Sequence, residues 1–263
     1  MSLVLAALMP HSPLLVPNIG KEHTAHFSVT LDAAKKIKEA LILAEPDLIF
    51  ILTTKGPSKE NGFTIHSAQE YKANFELFGD LVTDLRFNSD IQLIGELREK
   101  LETKFPIFVV ANLGLDYASS IPLLLLEEAA RKPIIPITTS SIALSEAVKF
   151  GEELQKIILD SPKKIAVIVS ADLSHRLSKQ SPAGYSSKAK KFDQRLIEIL
   201  KDADNKSLIE SETAANDAAC EDMPSLAVFL GILNDVGYEL TVSQYDPQFG
   251  VGHLSLLYNL GRS

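Results

Sequence analysis

Six histidines, at positions 11, 23, 26, 66, 175 and 253, offer this 263-residue chain its widest choice of chemistry. A neutral imidazole can ligate a metal, and a titrating one can move a proton near neutral pH. None of them forms the H-E-x-x-H spacing of a helical zinc site. His11 stands between Pro10 and Ser12 just after an apolar run, and His175 closes the stretch Val167-Ile168-Val169-Ser170-Ala171-Asp172-Leu173-Ser174. Taken alone, each reads equally as a site residue or as a satisfied polar group at a strand end. Together, with Asp172 three residues before His175 and the carboxylates of Glu221-Asp222 later in the chain, they point to a mononuclear metal site or an acid–base site. His23 and His26 lie three apart and can share a face, but they read as a solvated pair.

Other chemistries lack their residues. Neither G-x-G-x-x-G nor G-x-x-x-x-G-K-[ST] occurs, and Gly250-Val251-Gly252 reads as a turn before a strand. The nucleophile elbow G-x-S-x-G is absent, so Ser174 beside His175 does not indicate a hydrolase. Cys220, the sole cysteine, reads as a small buried helix residue. It can form no internal disulfide, which fits a reducing cytoplasm. With 26 basic against 34 acidic residues and a formal charge of -8, the chain lacks the cationic footprint that a nucleic-acid backbone requires. The apolar opening at 3–9 follows no basic residue and is broken by Pro10, His11 and Pro13, so it reads as a buried strand and not as a signal peptide or membrane anchor.

These residues need elements to hold them. Short apolar runs at 3–9, 47–53, 107–111, 134–137, 165–170, 240–243 and 254–257 show no strict polar alternation, as expected of strands covered on both faces. Segments 30–43, 90–101, 143–159, 187–200 and 215–236 carry apolar residues at helical spacing, for example Leu31, Ala34, Ile37, Leu41 and Ile42. The Leu123–Leu126 run adds one turn of a buried helix. Strand–helix alternation predicts an α/β fold, a central mostly parallel sheet with helices on both faces. No stretch has the composition of a linker, so a single domain over 1–263 is expected, and 46% hydrophobic residues suffice for its core. The weakly periodic stretches 54–62, 172–186 and 246–252 adjoin strand ends, where open α/β sheets build their sites.

The residues now resemble a known family. Met9-Pro10-His11-Ser12-Pro13-Leu14-Leu15-Val16-Pro17 is similar to the N-terminal histidine motif of class III extradiol ring-cleavage dioxygenases, whose catalytic B-subunit superfamily includes the Memo proteins. Ala171-Asp172-Leu173-Ser174-His175-Arg176 with Ser181-Pro182-Ala183-Gly184-Tyr185 resembles the second signature, and Phe249-Gly250-Val251-Gly252 the C-terminal one. The likeness runs in order from about residue 3 to residue 258. It implies non-haem Fe(II) on two histidines and a glutamate, a facial arrangement that leaves positions for a catecholic substrate and O2. By motif position, His11 matches the first metal histidine, Glu221 the metal glutamate and His175 the acid–base histidine, with Asp172 orienting it or its loop. Tyr185, Phe249 and His253 are the residues implied near the substrate. Relatives commonly associate, so a homodimer is expected, in the cytoplasm, acting on a small molecule.

Three positions depart from the pattern. Lys55, in Thr53-Thr54-Lys55-Gly56-Pro57, stands where the second metal histidine is implied, and an ammonium has three donors and no acceptor. Tyr117 replaces a substrate-side histidine, and Asp222 replaces a glycine often found after the glutamate. Loss of iron would leave Glu221 a buried carboxylate without a partner, which Lys55 could neutralise as an ion pair. His66 could in principle turn inward as a substitute ligand, but a structural role is favoured for it. Two readings follow: an Fe(II)-dependent extradiol dioxygenase-like protein with a degenerate metal site, or a non-dioxygenase member. The second would be a Memo-like binding protein, or an enzyme using His175 and Lys55 on a small phenolic or anionic ligand without metal.

Overall fold

A computed structural model describes residues 2–260, so positions 1 and 261–263 of the expected domain lie outside it. Eleven strands are present among the described residues: β1 (Leu3–Met9), β2 (Leu48–Thr53), β3 (Phe63–Ser67), β4 (Glu70–Phe75), β5 (Asp80–Asn88), β6 (Ile107–Ala111), β7 (Gly114–Leu115), β8 (Ile134–Thr139), β9 (Ile165–Ser170), β10 (Tyr238–Gln248) and β11 (Val251–Leu260). The helices are α1 (Pro17–Gly20), α2 (Ser28–Ala44), α3 (Ile91–Leu101), α4 (Tyr117–Leu126), α5 (Leu144–Asp160), α6 (Ala189–Lys201), α7 (Asn205–Glu210), α8 (Glu212–Ala218) and α9 (Met223–Ile232).

The main sheet has the order β10-β11-β1-β9-β2-β8-β3-β6. Its centre, β1-β9-β2-β8, is parallel throughout. Alternate side chains of these strands feed two cores, as expected of strands covered on both faces. Leu8, Phe50, Leu52, Val167 and Val169 pack toward α3, α5, α6 and α9, whereas Ala7, Met9, Ile49, Ile51 and Ile168 pack toward α2 and α4. The fold is therefore α/β, with helices on both faces of a mostly parallel sheet. No helix among the described residues is long and apolar enough to cross a membrane.

Four differences from the sequence reading have physical causes. The small sheet β5-β4-β7 lies in segments that had no strand assignment, and the main-sheet strand β3 is not among the apolar runs. β5 alternates exposed and covered residues and carries charges, so it lacks the apolar run that marks a buried strand. Segment 215–236 is two helices, because Ala219 adopts a left-handed backbone (φ 53°) that ends α8 before α9 starts. Cys220 is buried as expected, but in the turn between those helices. Segment 246–252 is part of a hairpin: β10 and β11 meet at Phe249-Gly250, both at positive φ (52° and 80°), with Gln248 opposite Val251.

α5 and α9 cross at backbone contact through two glycines. A Cβ on Gly231 would lie 2.2 Å from the Val148 carbonyl oxygen, and one on Gly151 2.1 Å from that of Val228. Neither carbonyl can yield without separating the helices. Gly231→Ala is expected to destabilise the protein by about 1–3 kcal/mol, in the range of overpacked cores. Urea denaturation would measure it, and an unchanged midpoint would show that the helices have slack.

Candidate functional site

The C-terminal ends of the four parallel strands put the chemistry in one place. His11 follows β1 by two residues, Asp172 follows β9 by two, and Thr54-Lys55 follow β2 directly. The turn between α8 and α9 brings Glu221 and Asp222 over the same ends.

His11 is buried and its tautomer follows from its partners. The Ser170 hydroxyl donates to the Ala118 carbonyl (2.6 Å), so the Nδ1–H of His11 donates to Ser170 Oγ at 3.1 Å. Nε2 then faces two buried carboxylates, Asp172 Oδ2 at 3.6 Å and Asp222 Oδ2 at 3.7 Å. The same carboxylates also fix the loops. Asp172 Oδ1 accepts from the His11 backbone N–H (3.2 Å). Asp222 Oδ2 accepts from the Asp172 N–H (3.0 Å), and Asp222 Oδ1 accepts from the Thr54 hydroxyl. Burial alone would raise the Asp172 carboxyl, but His11, His253, His175 and the His11 N–H together hold it below the ordinary range.

Lys55 Nζ donates to Glu221 Oε2 at 2.6 Å. Burial by itself would lower the lysine, yet Asp222, Glu221 and Tyr117 outweigh that and raise it, so the ammonium is fixed as a cation. The hydrogen bond and charge of Lys55 hold Glu221 below the usual carboxylate range. Two of the reasons given from sequence need correcting. Glu221 is not a stranded buried carboxylate, because its side chain is 72% exposed; the buried acids next to His11 are Asp172 and Asp222. Asp172 does not hold the His175 ring either, since its carboxylate faces His11.

The His175 ring is held by backbone. Nδ1 lies 3.1 Å from the Leu173 carbonyl and 3.2 Å from that of Ala219. Both are acceptors, so Nδ1 carries the hydrogen and Nε2 keeps its lone pair in the neutral ring. Tyr117 stacks edge-on against His11, with centroids 5.6 Å apart, and contacts Phe78. Burial first, then Asp222, Asp172 and Asp116, push its phenol up against the opposing pull of Lys55, so it stays neutral.

The remaining candidates divide. His253 is buried, donates from Nδ1 to the Asp246 carbonyl (3.0 Å), and contributes to the field at Asp172. A carbonyl only accepts, so that Nδ1 is the protonated nitrogen. Phe249 packs against His23, His26 and Phe27. His23 and His26 are exposed, in keeping with the solvated reading, and flank the Phe249 ring. Tyr185 is 59% exposed, and none of its hydrogen bonds or ring contacts among the described residues reaches His11 or Lys55. His66 sits in β3 and bonds through Nε2 to Thr138 Oγ1 (2.8 Å), whose hydroxyl in turn donates to the Lys55 carbonyl (3.3 Å). It props the Lys55 loop from behind. Sequence reasoning missed Thr54, Ser170 and Asp193, and it noted Asp222 as a carboxylate beside Glu221 and as a departure from glycine without giving it a partner.

The donor set does not match two histidines and one glutamate. Lys55 offers no lone pair, Glu221 is engaged by that ammonium, and no three His, Cys, Asp or Glu groups among the described residues are arranged to hold a metal ion. What the arrangement can do chemically is hold an anion against a fixed cation beside an imidazole with a free nitrogen.

Residues 5–253 match the family model described as the catalytic LigB subunit of aromatic ring-opening dioxygenase. A Clostridium acetobutylicum protein, CA_C1420, is 26% identical over 259 residues, covering 94% of this chain and 55% of its own length. The chain thus spans about half of that relative. A 3,4-dihydroxyphenylacetate 2,3-dioxygenase of Escherichia coli is 23% identical over 209 residues, 74% of this chain and 75% of that protein. The crystal structure of the uncharacterized protein JW3007 from Escherichia coli K12 superposes with a TM-score of 0.67 at 16% identity, covering 97% of this chain and 99% of that one.

His66 carries a pH signature. Burial pushes its imidazole down to about 4 from an ordinary 6.5, and its Nδ1 is buried without a partner. The folded state therefore binds fewer protons than the unfolded one between these values. Its contribution is complete above pH 6.5 and lost as pH falls through about 4, at a slope of at most roughly 1.4 kcal/mol per pH unit. Urea titrations of wild type and His66→Gln across that window should give a flatter curve for the variant. Parallel curves would assign the acid sensitivity elsewhere.

Proposed function

The chain belongs to the family of the catalytic LigB subunit of aromatic ring-opening dioxygenase, and from that premise we propose a dioxygenase-like protein whose metal position has been taken over by charged side chains. Its ligand, on this reading, is a small phenolic or anionic molecule, catechols included. The observation that carries it is the 2.6 Å contact between Lys55 Nζ and Glu221 Oε2. The raised Lys55 makes proton abstraction by the lysine unfavourable near neutral pH, so its role is that of an anchor. An incoming phenolate or carboxylate exchanges with Glu221 on the ammonium. His175 Nε2 is the group that takes the proton of a bound hydroxyl, leaving the phenolate oxygen on Lys55. His11, Asp172 and Asp222 fix the loops around that exchange, and Tyr117, Phe249 and His253 are the side chains proposed to bound the ligand. Tyr185 is retained as an outer contact.

The cell compartment proposed is the cytoplasm and the working form a homodimer. A Memo-like binding role and a metal-free acid–base enzyme both fit this site, and they differ in whether the His175 proton transfer leads to product. A second reading, retained Fe(II)-dependent ring cleavage, is favoured by the likeness to the 3,4-dihydroxyphenylacetate 2,3-dioxygenase. LigB-family extradiol dioxygenases generally use non-haem iron. When bound, such an iron would bring catechol and O2 together on one centre.

Metal content decides between the readings. Protein expressed with iron and purified without oxygen is expected to hold well under one iron per chain after a mild chelator, whereas Lys55→His should hold more. Stoichiometric, chelator-resistant iron in the wild type would overturn the charge-replacement proposal. Equal and negligible iron in both would mean that more than Lys55 separates this site from an iron centre. Catechol titration of the iron-free wild type against Lys55→Met should show binding that the variant loses.

A further inference from the structure

Asp193 lies on the buried face of α6, among Ala189, Phe192, Leu196 and Ile199, where an amphipathic helix calls for an apolar side chain. It is fully buried and forms no ion pair among the described residues. An unpaired buried carboxylate is costly unless hydrogen bonds hold it. Two do, and they come from different parts of the chain: Oδ1 accepts from the Ser174 N–H at 3.0 Å, and Oδ2 accepts from the Tyr245 hydroxyl in β10 at 2.6 Å. β11 closes the knot. Gly252 donates to the Ser174 carbonyl (2.9 Å) and accepts from the Leu173 N–H (2.7 Å), and a Cβ on Gly252 would stand 2.2 Å from Asp193 Oδ2. Glycine is required there because the carboxylate fills the space.

The segment tied down in this way, 173–175, is the one that carries His175 and supplies one of the two carbonyls on its Nδ1. We propose that Asp193 is a positioning residue for His175, fixing the ring by clamping its loop to the C-terminal hairpin and placing a negative charge behind it. The role assigned to Asp193 rests on His175 being the proton-transfer group of the site. The groups that face the carboxylate are the Tyr245 phenol from β10, the His175 imidazole from the loop and the Cys220 thiol from the turn before α9. Burial pushes the Asp193 carboxyl up to about 6, against the hydrogen bonds of Tyr245 and Ser174 and the charge of His175. The clamp therefore remains charged through neutral pH.

The test reads the His175 ring directly by proton NMR, assigned with His175→Gln, in wild type, Asp193→Asn and Tyr245→Phe. Removing the carboxylate should lower the His175 titration midpoint by roughly half a pH unit or more. It should also broaden the ring signals as the loop samples a second position. Tyr245→Phe keeps the charge but removes a hydrogen bond that stabilises it, and should move the midpoint the same way by less. It stands in if Asp193→Asn fails to fold. An unchanged midpoint and linewidth in a folded variant, with only thermal stability lowered, would reduce Asp193 to a packing residue. Because the readout is the His175 ring and not turnover or ligand binding, it answers for Asp193 even if the metal and catechol measurements overturn the proposed site.

Discussion

Negative charge has to be held at the C-terminal ends of the parallel strands, and the way it is held organises much else in the molecule. Asp172 and Asp222 are both buried and both face the Nε2 of one imidazole. In a low-dielectric interior two such carboxylates repel strongly unless donors and cations surround them. The surrounding groups come from every strand end in reach: the His11 and Asp172 backbone N–H groups, the Thr54 hydroxyl, and Lys55 with its ammonium. The loops after β1, β2 and β9 are thereby bound to one another through charge. Their conformations are consequences of that network as much as of their own turn residues.

The sheet and its covering helices were legible in the sequence because their signal is local. Strands such as β2 and β9 are unbroken apolar runs, and α5 carries its buried residues at 3.6-residue spacing. β4, β5 and β7 were not legible, since a small half-solvated sheet mixes Lys72, Asp84 and Arg86 with its inward residues and β7, which pairs with β4 from about forty residues on, is only two residues long. The break at Ala219 was hidden for a different reason. Alanine at positive φ costs free energy, and nothing in the residue type announces it.

Within the site, the sequence flagged the positions but not the geometry. Lys55 and Glu221 stand out as a cation and an anion in motif positions, and the structure joins them. Which of Glu221 and Asp222 turns inward could not be read, because adjacent carboxylates differ only in the direction the turn gives them. Asp222 went inward and met His11, leaving Glu221 to arch over Lys55 from solvent. Asp193 was overlooked because one polar residue on an apolar helix face is easily taken as a boundary position.

The placement of β1 has a consequence for how the chain is made. β1 lies between β9 and β11, so residues 3–9 find their sheet partners only at 165–170 and 256–259. At ribosomal speeds of roughly 5–20 residues per second, that leaves the most apolar strand near the N-terminus unpaired for on the order of tens of seconds. Closure over such sequence distances is intrinsically slow. Until the last strand emerges, the sheet has an unprotected edge at its own centre. Chaperone demand during synthesis, more than stability once folded, is where this topology is exposed.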